Sequence, residues 1–137
     1  MTADTPPRDT SAVVGVNLAR LRADTRHTTR TLAAEVGATG LRMSSSGITD
    51  IERGRRAVSV DQLTALAVCL GVSPLALLTP LPEYPDAVIA LTGTPSRPAA
   101  SLYRWLRGEQ ALNDETLDAY ERATFRRRST PPWTWET

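Results

Sequence analysis

Between Ser44 and Arg56 the chain runs Ser44-Ser45-Ser46-Gly47-Ile48-Thr49-Asp50-Ile51-Glu52-Arg53-Gly54-Arg55-Arg56, and these residue types suit molecular recognition. The opening hydroxyls can cap a helix by accepting from an otherwise unpaired N–H. Ile48 and Ile51, three apart, share one inward face. Gly54 follows where a helix ends on a left-handed residue. The outward face then carries Ser45, Ser46, Thr49, Asp50 and Arg53, with Arg55 and Arg56 just past the end. A merely solvated helix would more often show Glu and Lys there. Small hydroxyls let a second surface come close, and clustered arginines suit phosphates, so the surface implied is nucleic acid.

Other chemistries find little support. His27 is the single histidine and has no cysteine near it, so neither a metal site nor a Cys–His pair has ligand spacing behind it. Ser44 to Ser46 lack a neighbouring base, and the glycines form no phosphate loop. No enzyme activity, cofactor or metal is expected. Cys69, the one cysteine, lies in the apolar run Leu66-Ala67-Val68-Cys69-Leu70 and is expected to be a buried small hydrophobe.

At 137 residues the chain has the size of one domain with a small appendage. A hydrophobic share of 41% supports a core, while aromatics make up only 5%. No apolar run approaches the roughly 20 residues of a membrane span and no signal-peptide pattern opens the chain, so no membrane contact and a cytoplasmic location are expected. Net charge is only +1, modest for a nucleic-acid binder. All of the positive charge is arginine, grouped as Arg20, Arg22 and Arg26, as Arg53, Arg55 and Arg56, and as Arg126, Arg127 and Arg128.

The elements that would position the recognition stretch follow from periodicity. Residues 1–11 are polar with two prolines and are expected to be a disordered tail. Val14, Leu18 and Leu21 mark a first amphipathic helix from Ala12 to near Thr25 or Arg26. Thr28 suits the cap of a second, Thr29 to Val36, closed by Gly37, with small Ala33 permitting a close helix crossing. A longer connector, Ala38 to Met43, leads to the Ser44 helix. Ser59 caps a fourth helix, Val60 to about Leu70, with Leu63, Leu66, Ala67 and Leu70 inward and Gly71 at its end. Ser73-Pro74 opens a fifth whose core face is Leu75, Leu77 and Leu78. The expected fold class is all-α: a five-helix domain over 12–80, then a linker over 81–98 and a mainly helical extension over 99–137.

These words, in this order, resemble the Cro/C1-type (XRE) helix-turn-helix transcriptional regulators. Asn17-Leu18-Ala19-Arg20-Leu21-Arg22 is similar to the family's first-helix signature, and Thr28-Thr29-Arg30-Thr31-Leu32-Ala33 to the start of its second helix. Ile48-Thr49-Asp50-Ile51-Glu52-Arg53-Gly54 resembles the block that ends the recognition helix, and Gly71-Val72-Ser73-Pro74-Leu75 the closing helices. The long connector and the Ser44-to-Ile48 entry resemble a subgroup from high-GC Gram-positive bacteria or their phages. Departures exist: Thr28-Thr29 stands where the family usually has Ser-Gln, and Val58 where Pro is common. The resemblance implies a lambda-repressor-like domain and a sequence-specific regulator of transcription, with repression the expected mode. Helix 44–53 would enter the major groove of double-stranded DNA. Ser45, Ser46, Thr49 and Asp50 would then face bases, with Asp50 also placed to pair with a neighbouring arginine. Thr29, Arg30, Arg53, Arg55 and Arg56 would hold phosphates. Glu52 is expected to bond inward to Arg22, and a homodimer is expected from binding at paired half-sites. The competing expectation is an antitoxin-like or protein-interaction module on the same five helices.

Beyond Pro80, Leu81-Pro82-Glu83-Tyr84-Pro85 reads as an extended linker. Asp86 to Thr92 could form one strand, needing a symmetry mate or else remaining a loop. Ala99 to Gly108 reads as a helix with Leu102, Trp105 and Leu106 inward. Asn113-Asp114-Glu115 is expected to cap a last helix through Leu117, Tyr120 and Phe125 to Arg128. Packing or dimerisation is expected of Leu102, Trp105 and Tyr120. A pocket for a small effector is the less favoured alternative, because no convergent polar set is apparent.

Overall fold

Three hydroxyl residues set the starts of three helices. Thr28 accepts from Thr31 N, Ser44 from Gly47 N and Ser59 from Gln62 N. At Thr28 and Ser59 the third helical residue also bonds back to the cap's own N–H, satisfying two otherwise orphaned donors. In the computed structural model, which describes residues 10–135, these caps open α2 (Thr29–Ala38), α3 (Ser45–Glu52) and α4 (Val60–Leu70). They are preceded by α1 (Thr10–Asp24) and followed by α5 (Pro74–Leu78). The expected disordered tail falls outside the described residues except for Thr10 and Ser11, which already belong to α1. Gly37 does not close α2; the helix continues to Ala38, and it is Gly40, at φ 101°, that takes the left-handed conformation. Gly54 and Gly71 stand at φ 74° and 70°, ending α3 and α4 as their positions require.

The chain divides into two units, the first closing at Pro80 and the second running from Leu81. The core of the first unit gathers Val14, Leu18 and Leu21 from α1, Leu32 and Val36 from α2, and Ile48 and Ile51 from α3. Leu66, Ala67, Leu70 and Leu77 complete it from α4 and α5. Full burial of each large side chain stabilises by about 1.5–3 kcal/mol before entropy is subtracted. Leu63, Leu75 and Leu78 are only half-buried.

Two features of α1 hold this core in register. Gly15 lies where α1 crosses α3: a Cβ there would sit 2.2 Å from the Ile51 carbonyl oxygen, so only hydrogen fits. Asn17 is buried, and its Nδ2 donates to both the Leu77 and Thr79 carbonyls at 2.9 Å. That pairing satisfies two carbonyls at the end of α5 which would otherwise lack donors.

The second unit starts with a small hairpin. Val88–Ile89 (β1) pairs antiparallel with Arg97–Pro98 (β2), Val88 opposite Pro98 and Ile89 opposite Arg97. The strand expected within Asp86 to Thr92 therefore has its partner nine residues on in the same chain rather than in a symmetry mate. Thr94 closes the loop, its Oγ1 accepting from Leu91 N at 2.8 Å. Next come α6 (Ala99–Leu106), with Leu102 fully buried, a 3-10 turn at Asp114–Thr116, α7 (Ala119–Ser129) and a 3-10 turn at Pro132–Thr134. Asn113 caps no α-helix. Asp118 does, through a reciprocal capping box with Glu121, and Tyr120 on this helix is exposed. Among the described residues, no helix is long and apolar enough to cross a membrane.

The glycine geometry separates two substitutions of the same kind. Gly15→Ala is expected to lower unfolding free energy by at least about 1–3 kcal/mol, because the clash is with backbone. Gly37→Ala, inside a helix with nothing within 4 Å of its added Cβ, should raise it by about 0.4–1 kcal/mol. Urea denaturation of both variants of the full chain checks the opposite signs.

Candidate nucleic-acid interface

The caps that start α2 and α3 also bring those two helix starts together. Thr29 Oγ1 lies 2.9 Å from Ser45 Oγ, joining the first residue of one helix to the first of the other. Each start carries unpaired N–H groups and the positive end of a helix dipole, so the pair forms a locally electropositive edge. Ser46 Oγ lies 3.2 Å from the Ser44 cap oxygen. The Thr49 hydroxyl donates to the Ser45 carbonyl at 3.2 Å, which leaves its methyl as the group free for apolar contact.

Asp50 gathers two arginines, with Arg55 Nη1 at 3.7 Å and Arg56 Nη2 at 3.8 Å from its carboxylate oxygens. These pairs are half exposed and individually worth only ~0–1 kcal/mol, so they steer the guanidiniums rather than hold the fold. The Arg55 N–H also donates to the Asp50 carbonyl at 2.8 Å, turning the chain back over the helix end. Arg56 reaches across α3: a Cβ on Gly47 would be 3.2 Å from its Nη1. Gly47 is buried, and its close neighbours are Ser44 Oγ and this guanidinium, the flexible tip of a side chain. Arg56 therefore lies beside the first turns of α3, not merely past its end. Arg53, the C-cap residue, and Arg30, in the first turn of α2, are exposed and form no ion pair among the described residues.

The helix that carries these groups is fixed from behind. Arg22 Nε donates to Glu52 Oε2 at 2.5 Å and Nη2 to Oε1 at 3.0 Å, a two-point bond between α1 and the last residue of α3. The hydrogen bond Arg22 donates to Glu52, outweighing partial burial, raises the Arg22 pKa above its ordinary value, so it stays charged. Arg22 Nη1 also donates to His27 O at 2.9 Å, tying in the turn between α1 and α2. In that turn Arg26 takes φ 62°, unusual for a residue with a Cβ. His27 occupies structural partners, Nε2 at 2.7 Å from Glu35 Oε2 and Nδ1 at 2.9 Å from Thr25 Oγ1.

Sequence patterning missed Gly15 and the bonding of Asn17, which look like ordinary helix residues until the neighbouring elements are in place. It also passed over Arg42, exposed two residues before the Ser44 cap; its place in the connector to α3 was the available signal. Cys69 is only half-buried, and its thiol pKa is pushed up by burial and then by the Glu35 charge, which disfavours the reactive thiolate.

A helix-turn-helix domain family matches residues 13–80. An uncharacterized HTH-type transcriptional regulator, y4dJ, from Sinorhizobium fredii is 39% identical over 77 residues, which span 56% of this chain and 94% of that protein. Among solved structures, a hypothetical transcription factor, NHTF, from Neisseria aligns at 25% identity and TM-score 0.49, over 58% of this chain and 87% of its own. The restriction-modification controller protein C.AhdI from Aeromonas hydrophila aligns at 30% identity and TM-score 0.44, over 49% and 94%. With such TM-scores it is the sequence relative that carries the kinship.

The α1–α3 clamp has a measurable coupling. A double-mutant cycle on Arg22→Ala and Glu52→Ala should give a coupling free energy of about 1.5–3 kcal/mol, the range for a charge-assisted bond shielded from water. Denaturation of the wild type, both single variants and the double variant reads it; a coupling near zero would show that the pair is incidental to stability.

Proposed function

The chain belongs to the helix-turn-helix transcriptional regulators, and from that premise we propose that α3 is its recognition helix, entering the major groove of double-stranded DNA in the cytoplasm. The observation that carries this proposal is the joined start of α2 and α3 at Thr29 and Ser45, beside the arginines drawn together by Asp50. An electropositive edge lined with short hydroxyls can come within hydrogen-bonding distance of a groove, where long side chains would hold it off.

Within that pose, Ser45 and Ser46 offer hydroxyls to base edges, and Thr49 offers its methyl to a thymine methyl. Asp50 acts chiefly by positioning Arg55 and Arg56, and its remaining acceptor capacity suits a cytosine amine. Thr29, Arg30, Arg53, Arg55 and Arg56 take phosphates, fixing register without reading sequence. Residues 12–80 form the DNA-binding domain, and residues 81–98 join it to the extension at 99–137. The regulator acts as a homodimer on two half-sites about one helical turn apart, and as a repressor by occupying its operator.

Salt titration of binding to mixed genomic fragments tests this. Log affinity should fall with log salt, and Arg53→Ala/Arg55→Ala/Arg56→Ala should flatten that slope by about two to three units, one per lost phosphate contact. Ser46→Ala and Thr49→Ala should instead change which fragments are retained and leave the slope nearly intact. Absence of any salt-dependent binding by the wild type would overturn the proposal and direct attention to a protein partner on the same helix.

A further inference from the structure

In the second unit, the end of α6 meets the last turn of α7 at Gly108. This residue stands at φ 76°, and an added Cβ would lie 3.0 Å from the Thr130 methyl and 3.4 Å from the Ser129 carbonyl oxygen. Beside the crossing opens a cleft of about 490 Å³, lined in part by Arg107, Arg126, Arg127, Thr130 and Trp135. Its volume is in the range of small-molecule sites, roughly 300–1,000 Å³.

The cleft is organised by the sequence around it. Ala123, Arg126, Arg127 and Thr130 recur at helical spacing, so they share one face of α7, with small Ala123 leaving room between them. After α7 the 3-10 turn at Pro132–Thr134 folds the chain back, and Trp135 Nε1 donates to Thr130 Oγ1 at 2.8 Å. Thr130 Oγ1 in turn donates to the Arg126 carbonyl at 2.6 Å, so the indole is anchored to the helix end. Arg107 is already neutralised by Glu109 at 2.6 Å and lies 5.3 Å from the centre of the Tyr103 ring. Arg126 and Arg127 have no such partner among the described residues. Among the described residues, three guanidiniums thus meet one carboxylate beside an indole. Compensation of the α7 dipole explains arginines in a last turn. It does not explain why an indole is bonded back beside them.

We propose that this cleft binds a small organic anion combining a phosphate or carboxylate group with a planar ring. Arg126 and Arg127 hold the anion through charge-assisted hydrogen bonds, and the ring rests against the Trp135 indole. This site is separate in its residues from the DNA-reading surface and stands or falls independently of it.

Phenyl phosphate is the probe, titrated into the full chain by calorimetry, with inorganic phosphate and phenol in parallel. Saturable binding of phenyl phosphate is expected with a Kd of about 1 mM or tighter, and weaker binding of either half alone. Arg126→Ala/Arg127→Ala should weaken it by about tenfold or more. Arg126→Lys/Arg127→Lys should recover part of the loss, which a merely misfolded variant would not. Trp135→Ala should abolish the preference for phenyl phosphate over inorganic phosphate while leaving the latter's affinity unchanged. No saturable binding up to about 10 mM, or affinity unaltered in the arginine variants, would overturn the proposal. So would a duplex-DNA salt slope that flattens in Arg126→Ala/Arg127→Ala without phenyl phosphate binding, since the arginines would then be phosphate-backbone contacts.

Discussion

The contact of α1 with α3 at Gly15 governs the first unit. With the Ile51 carbonyl oxygen only 2.2 Å from where a Cβ would stand, the two backbones come as close as side-chain chemistry permits. Farther along the same pair of helices, Arg22 and Glu52 close a two-point bond. A close approach at one point and a directional bond at another define both the spacing and the rotation of α3. The outward face of α3 is thereby presented by a rigid support rather than by a helix free to roll. Asn17, two residues beyond Gly15, extends the same support to the end of α5.

A net charge of only +1 is compatible with a phosphate-facing surface because the charge is placed, not spread. Asp50 adds one negative charge to the surface but draws Arg55 and Arg56 back over α3. Paired starts of α2 and α3 add the partial positive charges of their N–H groups, which no count of side chains registers.

The second unit obeys the same local rules with less periodic guidance. Residues Asn113 to Arg128 contain two possible caps, Asn113 and Asp118, and the reciprocal bond with Glu121 favours the later one. The cleft beside Gly108 draws on α7 arginines and on Trp135 of the tail, which meet only after the chain has folded back. Likewise the partner of β1 is the short Arg97–Pro98 segment, too brief and proline-bearing to announce itself as a strand.

Much of the first unit was settled by sequence alone, since the interactions involved are local. Thr28, Ser44 and Ser59 act within three residues of themselves, Gly54 and Gly71 within one turn, and the buried Leu, Ile and Val positions repeat at the helical period. The stretch from Ser44 to Arg56 was legible for the same reason: its hydroxyls, isoleucines and arginines lie within a few turns of chain. Tertiary structure alone decided what depends on distant segments. That Gly15 is a crossing point and not a weak helix residue follows from Ile51, and that Asn17 is a cap follows from Leu77 and Thr79. Arg56 beside the start of α3, Thr29 against Ser45, and the arginine-lined cleft under Trp135 likewise arise from groups that only folding brings within a few ångströms.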